Sequence, residues 1–218
     1  MLCDASFVRI PTPTAAEPLP AAFSNSPPPV FPSVAAGCGQ AVFNAGFDSG
    51  IFSGSGPPSP WNLVSGKNMS YLIFSSTARS ETHSLTFGSC PPKDGYIPGT
   101  LVTFEISQAA LVVCPNTVSR YDAYMAMLLA TSNANLQCGL TLKVNEVAVA
   151  TGSPLAYTAA KSFVDTTCCY QTGSEETTVK LNVAVNCTNN VAYGGAAIQP
   201  ALDDLLFGPV SSATQVTS

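Results

Sequence analysis

Apolar residues recur at every second position over several stretches of this chain. The clearest runs Val179-Lys180-Leu181-Asn182-Val183-Ala184-Val185-Asn186-Cys187. Val179, Leu181, Val183, Val185 and Cys187 share one face, while Lys180, Asn182 and Asn186 share the other, as in a half-buried β-strand. Cys138-Gly139-Leu140-Thr141-Leu142-Lys143-Val144 alternates in the same way, with Cys138, Leu140, Leu142 and Val144 inward. Asn145-Glu146 then reads as a turn before Val147-Ala148-Val149, which predicts a hairpin. In Tyr121-Asp122-Ala123-Tyr124-Met125-Ala126-Met127 the odd-numbered residues form the core face and Asp122, Tyr124 and Ala126 the other.

Shorter candidates are residues 40–43, 61–64, 71–74, 83–87, 101–107, 161–164 and 201–207, separated by Gly, Pro and Asn turns. Many short strands spaced this way predict an all-β sandwich or barrel. Residues 1–36 carry Pro11, Pro13, Pro18, Pro20, Pro27, Pro28, Pro29 and Pro32 among Ala, Ser and Thr, a mixture that favours an extended, disordered linker. Residues 37–210 are read as the folded unit and 211–218 as a polar tail.

Composition strengthens the β reading. Charged residues make up 10% of the 218, against roughly 25% in ordinary soluble domains. Helix formers such as Glu, Lys and Arg are scarce, while Val, Thr, Ser, Gly and Pro abound. The eight Lys and Arg are scattered under a net charge of −5, so no basic stripe exists to neutralise phosphates and nucleic acid is a poor partner. No apolar run reaches the 18 or so residues that span a bilayer.

The eight cysteines are Cys3, Cys38, Cys90, Cys114, Cys138, Cys168, Cys169 and Cys187. CxxC pairs are absent and His83 is the sole histidine, so zinc-ligand spacing is missing. An even count fits up to four disulfides and an oxidising, extracellular destination. Cys138 and Cys187 lie on apolar faces at strand ends and are expected to pair; Cys168 and Cys169 must seek different partners, because adjacent strand side chains diverge. Asn68-Met69-Ser70 and Asn186-Cys187-Thr188 are N-glycosylation sequons. The segment Met1–Phe7 lacks the basic start and apolar stretch of a signal peptide, so secretion would require a leader upstream of Met1.

Four segments carry a resemblance. Asn44-Ala45-Gly46-Phe47-Asp48-Ser49-Gly50 followed by Ser59-Pro60-Trp61 resembles the opening of CenC-type carbohydrate-binding modules and their fungal relatives. Ala78–Leu85, Cys114–Thr117 with Tyr121, and Leu202-Asp203-Asp204-Leu205-Leu206-Phe207 are similar to later segments of that family, in the same order. The resemblance implies a galactose-binding-like jelly roll of two antiparallel sheets, a polysaccharide or glycan partner, and a structural calcium between Asp48 and the closing strand at Asp203.

Candidate chemistry is sparse. Trp61 is read as a core plug beside Phe43 and Phe47 rather than a sugar platform. Asp122 and Tyr124 are expected to join Lys143 and Asn182 on one polar face, where an aromatic ring with carboxylate, amide and ammonium groups would suit a polyol; a plain solvated face is the competing reading. Asp203 is expected on the face of Leu205 and Phe207, buried and in need of a partner, either calcium or a hydrogen-bonding group. Asp204 would point the other way, so the two carboxylates cannot flank one glycosidic bond. No GxSxG elbow surrounds a serine and no phosphate-binding loop is present. The chain therefore reads as a non-catalytic carbohydrate-binding module, secreted or attached to a cell wall. A structural or adhesive β-sandwich without a sugar ligand is the alternative, and an accessory domain of a glycoside hydrolase comes last.

Overall fold

The computed structural model describes residues 42, 45–47, 57, 59–67, 71–75, 78–80, 83–88, 102–129, 136–156, 162–189 and 199–210. Its strands are β1 (Asn62–Lys67), β2 (Tyr71–Ser75), β3 (Ser84–Gly88), β4 (Val102–Val112), β5 (Val118–Leu129), β6 (Leu136–Val144), β7 (Val147–Thr151), β8 (Leu155–Ala156), β9 (Val164–Gln171), β10 (Thr178–Asn189) and β11 (Gln199–Pro209). No helix occurs among the described residues. The protein is all-β.

The strands form two antiparallel sheets. The first runs β1-β4-β10-β6-β7, with β8 beside β6; the second runs β2-β3-β11-β5-β9. Successive long strands cross from one sheet to the other (β4 first, β5 second, β6 first), the winding of a jelly-roll sandwich. On β5, β6 and β10 the inward faces are those the two-residue period predicts; on β11 a bulge shifts the facing between Leu202 and Leu205. Phe104, Ile106, Leu140, Leu142, Val144, Leu181, Val183 and Val185 come from the first sheet, and Leu85, Phe87, Tyr121, Met125, Leu202 and Phe207 from the second, all buried in one cluster.

Packing ties the layers together. Phe87 stacks on Phe104 with centroids 4.2 Å apart, and Tyr121 meets Phe207 edge-on at 5.8 Å. The Tyr121 hydroxyl crosses the core to donate to the Asn182 carbonyl at 3.2 Å, which gives a buried polar atom its partner. Trp61 is buried with its ring 6.0 Å from that of Phe47. Phe43 lies outside the described residues.

Local chemistry explains the turns. Asn145 and Glu146 both take positive φ, 49° and 69°, as a two-residue turn twisted to match its strands requires. Cys138 and Cys187 stand directly opposite each other on β6 and β10 and are joined by a disulfide. Cys114 is also disulfide-bonded; its partner lies outside the described residues. Cys168 and Cys169 hold free thiols, which corrects the expectation of up to four bridges to at most three. Cys168 packs against the core and Cys169 is exposed, so their side chains do diverge along β9. Burial moves the Cys168 thiol up to about 11.

Candidate functional site

The four residues expected on one polar face occupy two. Asp122 and Tyr124 lie on β5 in the second sheet, whereas Lys143 and Asn182 lie on β6 and β10 in the first. All four point away from the core, so the pairs sit on opposite sides of the sandwich, beyond a sheet separation of roughly 10 Å. Alternation assigns a residue to a face; it does not say which sheet owns the strand.

On the first sheet, β10 runs between β4 and β6. Its outward residues Asn182, Ala184 and Asn186 stand in register with Ser107, Glu105 and Thr103 on one side and with Lys143, Thr141 and Gly139 on the other. Ala184 is short, so the side chains of β4 and β6 meet over it. Lys143 Nζ stands 2.9 Å from Glu105 Oε2, and Asn182 Nδ2 donates to Glu105 Oε1 at 2.7 Å. Glu105 was missed by the sequence reading, although Thr103-Phe104-Glu105-Ile106-Ser107 alternates and would have placed it there. Asn182 Oδ1 is buried and accepts no hydrogen bond among the described residues. Toward the other end, a Cβ built on Gly139 would meet nothing within 4 Å, and Asn186 is exposed. The result is a polar row in which Glu105, Lys143, Thr141 and Thr103 flank the small residues Ala184 and Gly139.

The second sheet's outward face is closed over β3, β11 and most of β5, while Asp165, Thr167 and Cys169 on the edge strand β9 are exposed. Ser84, Thr86, Asp122, Ala126, Leu128, Ala201, Asp203 and Asp204 are all buried, and Phe163 packs on Ala126, Leu128 and Ala201. Asp203 pairs with Tyr124 in register, and the register shifts between Asp203 and Leu206. Asp204, at φ 47°, sits in this bulge, an Asp being one of the few side chains that tolerate the left-handed region. The bulge corrects two expectations. Asp203 faces outward with Tyr124 rather than inward with Leu205 and Phe207, and Asp203 and Asp204 do not diverge: both reach residues 79–80.

The backbone N–H groups of Arg79 and Ser80 donate to Asp203 Oδ2 at 2.7 and 3.4 Å, and Asp204's own N–H donates to Asp203 Oδ1 at 2.9 Å. The Arg79 guanidinium and the Ser80 hydroxyl bind the Asp204 carboxylate. Burial, with Asp204 alongside, pushes the Asp203 carboxyl from 3.8 up to about 7, against the pull of those N–H donors. The same guanidinium lies 3.8 Å above the centre of the Tyr124 ring, so a cation–π contact occupies a ring face expected for a sugar. Asp122 is held by Arg120, whose Nε donates to Oδ1 at 2.9 Å and stands 2.9 Å from Oδ2, without a hydrogen directed at the latter.

Asp48 and Asn68 lie outside the described residues. The groups converging on Asp203 are N–H donors, not oxygens, and no cluster of metal-ligating side chains occurs among the described residues. A calcium ion at Asp203 would need to draw its other ligands from elsewhere.

No family model matches the chain, and no curated protein matches it. Solved structures do. A cyclase from Fischerella sp. in its apo form is 14% identical, over 80% of this chain and 98% of that one, with TM-score 0.50. The shared property is the two-sheet fold. The TmCBM61 module in complex with β-1,4-galactotriose is 16% identical over 78% of this chain and 97% of that one, with TM-score 0.48. The CBM22-1 xylan-binding domain of Paenibacillus barcinonensis Xyn10C is 14% identical over 82% and 99%, with TM-score 0.44. Fold does not choose among such functions, so the faces of this molecule must.

Proposed function

We propose that the domain binds carbohydrate, without catalysing, on the outward face of its first sheet. The observation that carries this reading is the Glu105–Lys143–Asn182 cluster set around the small Ala184. Glu105 and Lys143, both partly exposed and held in place by the buried Asn182 carboxamide, offer an acceptor and a donor to neighbouring hydroxyls, the pairing a pyranose requires. Their strands are long and paired on both sides, so the groups are held in place before a ligand arrives.

Other features support the setting. A disulfide between β6 and β10 suits an extracellular destination, and no helix among the described residues is long and apolar enough to cross a membrane. The neighbours described as a galactotriose complex and as a xylan-binding domain share the architecture; at their degree of likeness they carry no weight in choosing the ligand. Affinity electrophoresis against galactan, xylan, β-glucan, chitin and cellulose tests the proposal. The wild-type chain should be retarded by at least one of them and Glu105→Ala by none. A wild-type chain that passes all five unretarded leaves a structural or adhesive sandwich as the better account.

A further inference from the structure

Asn186 heads a sequon, Asn186-Cys187-Thr188, and its place in the fold gives that triplet a consequence. It lies on β10, the middle strand of the first sheet's path, on the same face as Asn182 and Ala184. It is exposed, and it stands in register between Thr103 and Gly139. Where Gly139 lacks a side chain, the space that a Cβ would enter is open, so the carboxamide has room beside it. Thr188, two residues on, shares the face and is half-buried. Cys187 points the other way into its disulfide and holds the strand in this register.

We infer that Asn186 carries an N-linked glycan and that this glycan lies along the outward polar row of the first sheet, controlling access to Glu105 and Lys143. The inference rests on the binding reading above for its functional half, though not for the modification. Attachment needs a lipid diphosphate-linked oligosaccharide as donor: Asn186 Nδ2 bonds to the sugar C1, the C1–oxygen bond to the diphosphate breaks, and the amide proton is released. At roughly 3.3 Å per residue, Asn182 and its partner Lys143 lie about 13 Å along the strand from Asn186. An attached chain of several sugars spans that interval. Sugars tethered at this site compete with external ligand at an effective concentration on the order of millimolar, enough to oppose the weak affinity of a single site.

The chain, produced in a host that makes N-glycans, is compared with Asn186→Gln and Thr188→Val, two independent ways of destroying the sequon. Glycopeptide mass spectrometry reads occupancy of Asn186. A limiting acylating reagent reads the reactivity of Lys143 relative to Lys180 in each form, and affinity electrophoresis reads polysaccharide binding. Expected are an occupied Asn186, a Lys143 acylated about tenfold more slowly in the glycosylated chain, and binding strengthened about tenfold in both variants. An unmodified Asn186, or equal Lys143 reactivity in all three forms, overturns the inference. Shielded Lys143 with no polysaccharide bound by any form sustains the glycan's placement and sinks the binding reading instead. Binding of equal strength with and without the glycan overturns its control of access.

Discussion

The two outward faces of the sandwich begin from the same alternation and end in opposite states. On the first sheet, polar residues of three adjacent strands meet one another over a short alanine, and solvent reaches their rim. On the second, the polar row is buried: a bulge at Asp204 swings two neighbouring carboxylates toward Arg79 and Ser80, and Arg79 closes over Tyr124. Charge on a strand face is therefore no guide to an open surface. What decides is whether another segment of the chain supplies donors for it. Arg79 and Ser80 do so for Asp203 and Asp204 on the second face, and the pair there is buried; on the first face Glu105 and Lys143 pair with each other and stay partly exposed.

The sharpest way to break this contrast is to remove the clasp. Arg79→Ala leaves Asp204 buried without its cation and should destabilise the fold by about 3–5 kcal/mol in denaturant titration. Loss of less than the Glu105 variant below would show that the second face is not held as described. Next in size is a pH effect. The folded Asp203 carboxyl sits at about 7 against an ordinary 3.8, so the folded state keeps a proton that the unfolded state releases between those values. Its contribution is fully present below about pH 4 and is lost as pH rises through 7, by at most about 4 kcal/mol. Asp203→Asn cannot titrate and should flatten that part of the stability–pH curve. An unaltered curve would place the titration elsewhere.

On the first face effects should be smaller. Glu105→Ala strands the buried Asn182 amide and the partly exposed Lys143 ammonium, at a cost of about 1–3 kcal/mol. Smallest is the exposed pair of Lys180 and Glu146, 2.5 Å apart. Glu146→Gln should leave the denaturation midpoint unmoved, because water screens such a pair.

Much of the fold was legible from period two alone. The core faces of β5, β6 and β10, the Asn145-Glu146 hairpin and the opposed Cys138 and Cys187 follow from alternation and turn chemistry, and the burial of Trp61 from the family resemblance. Three things did not follow. Sheet membership was hidden, since a jelly roll sends consecutive strands to different layers, and this separated Tyr124 from Lys143. The bulge at Asp204 was hidden as well, because one extra residue reverses every later facing and a doubled aspartate reads the same with or without it. Most of β9 escaped because Asp165-Thr166-Thr167 carries no apolar alternation. Glu105, by contrast, is legible: Thr103-Phe104-Glu105-Ile106-Ser107 alternates and puts it on the polar side of its strand.

The central claim is that the ligand face belongs to the first sheet. Binding by Glu105→Ala and Tyr124→Ala, measured beside wild type on whichever polysaccharide retards the wild-type chain, tests it most directly. Retardation should vanish for Glu105→Ala and persist for Tyr124→Ala; persistence in the first with loss in the second would place the ligand on the opposite side of the molecule.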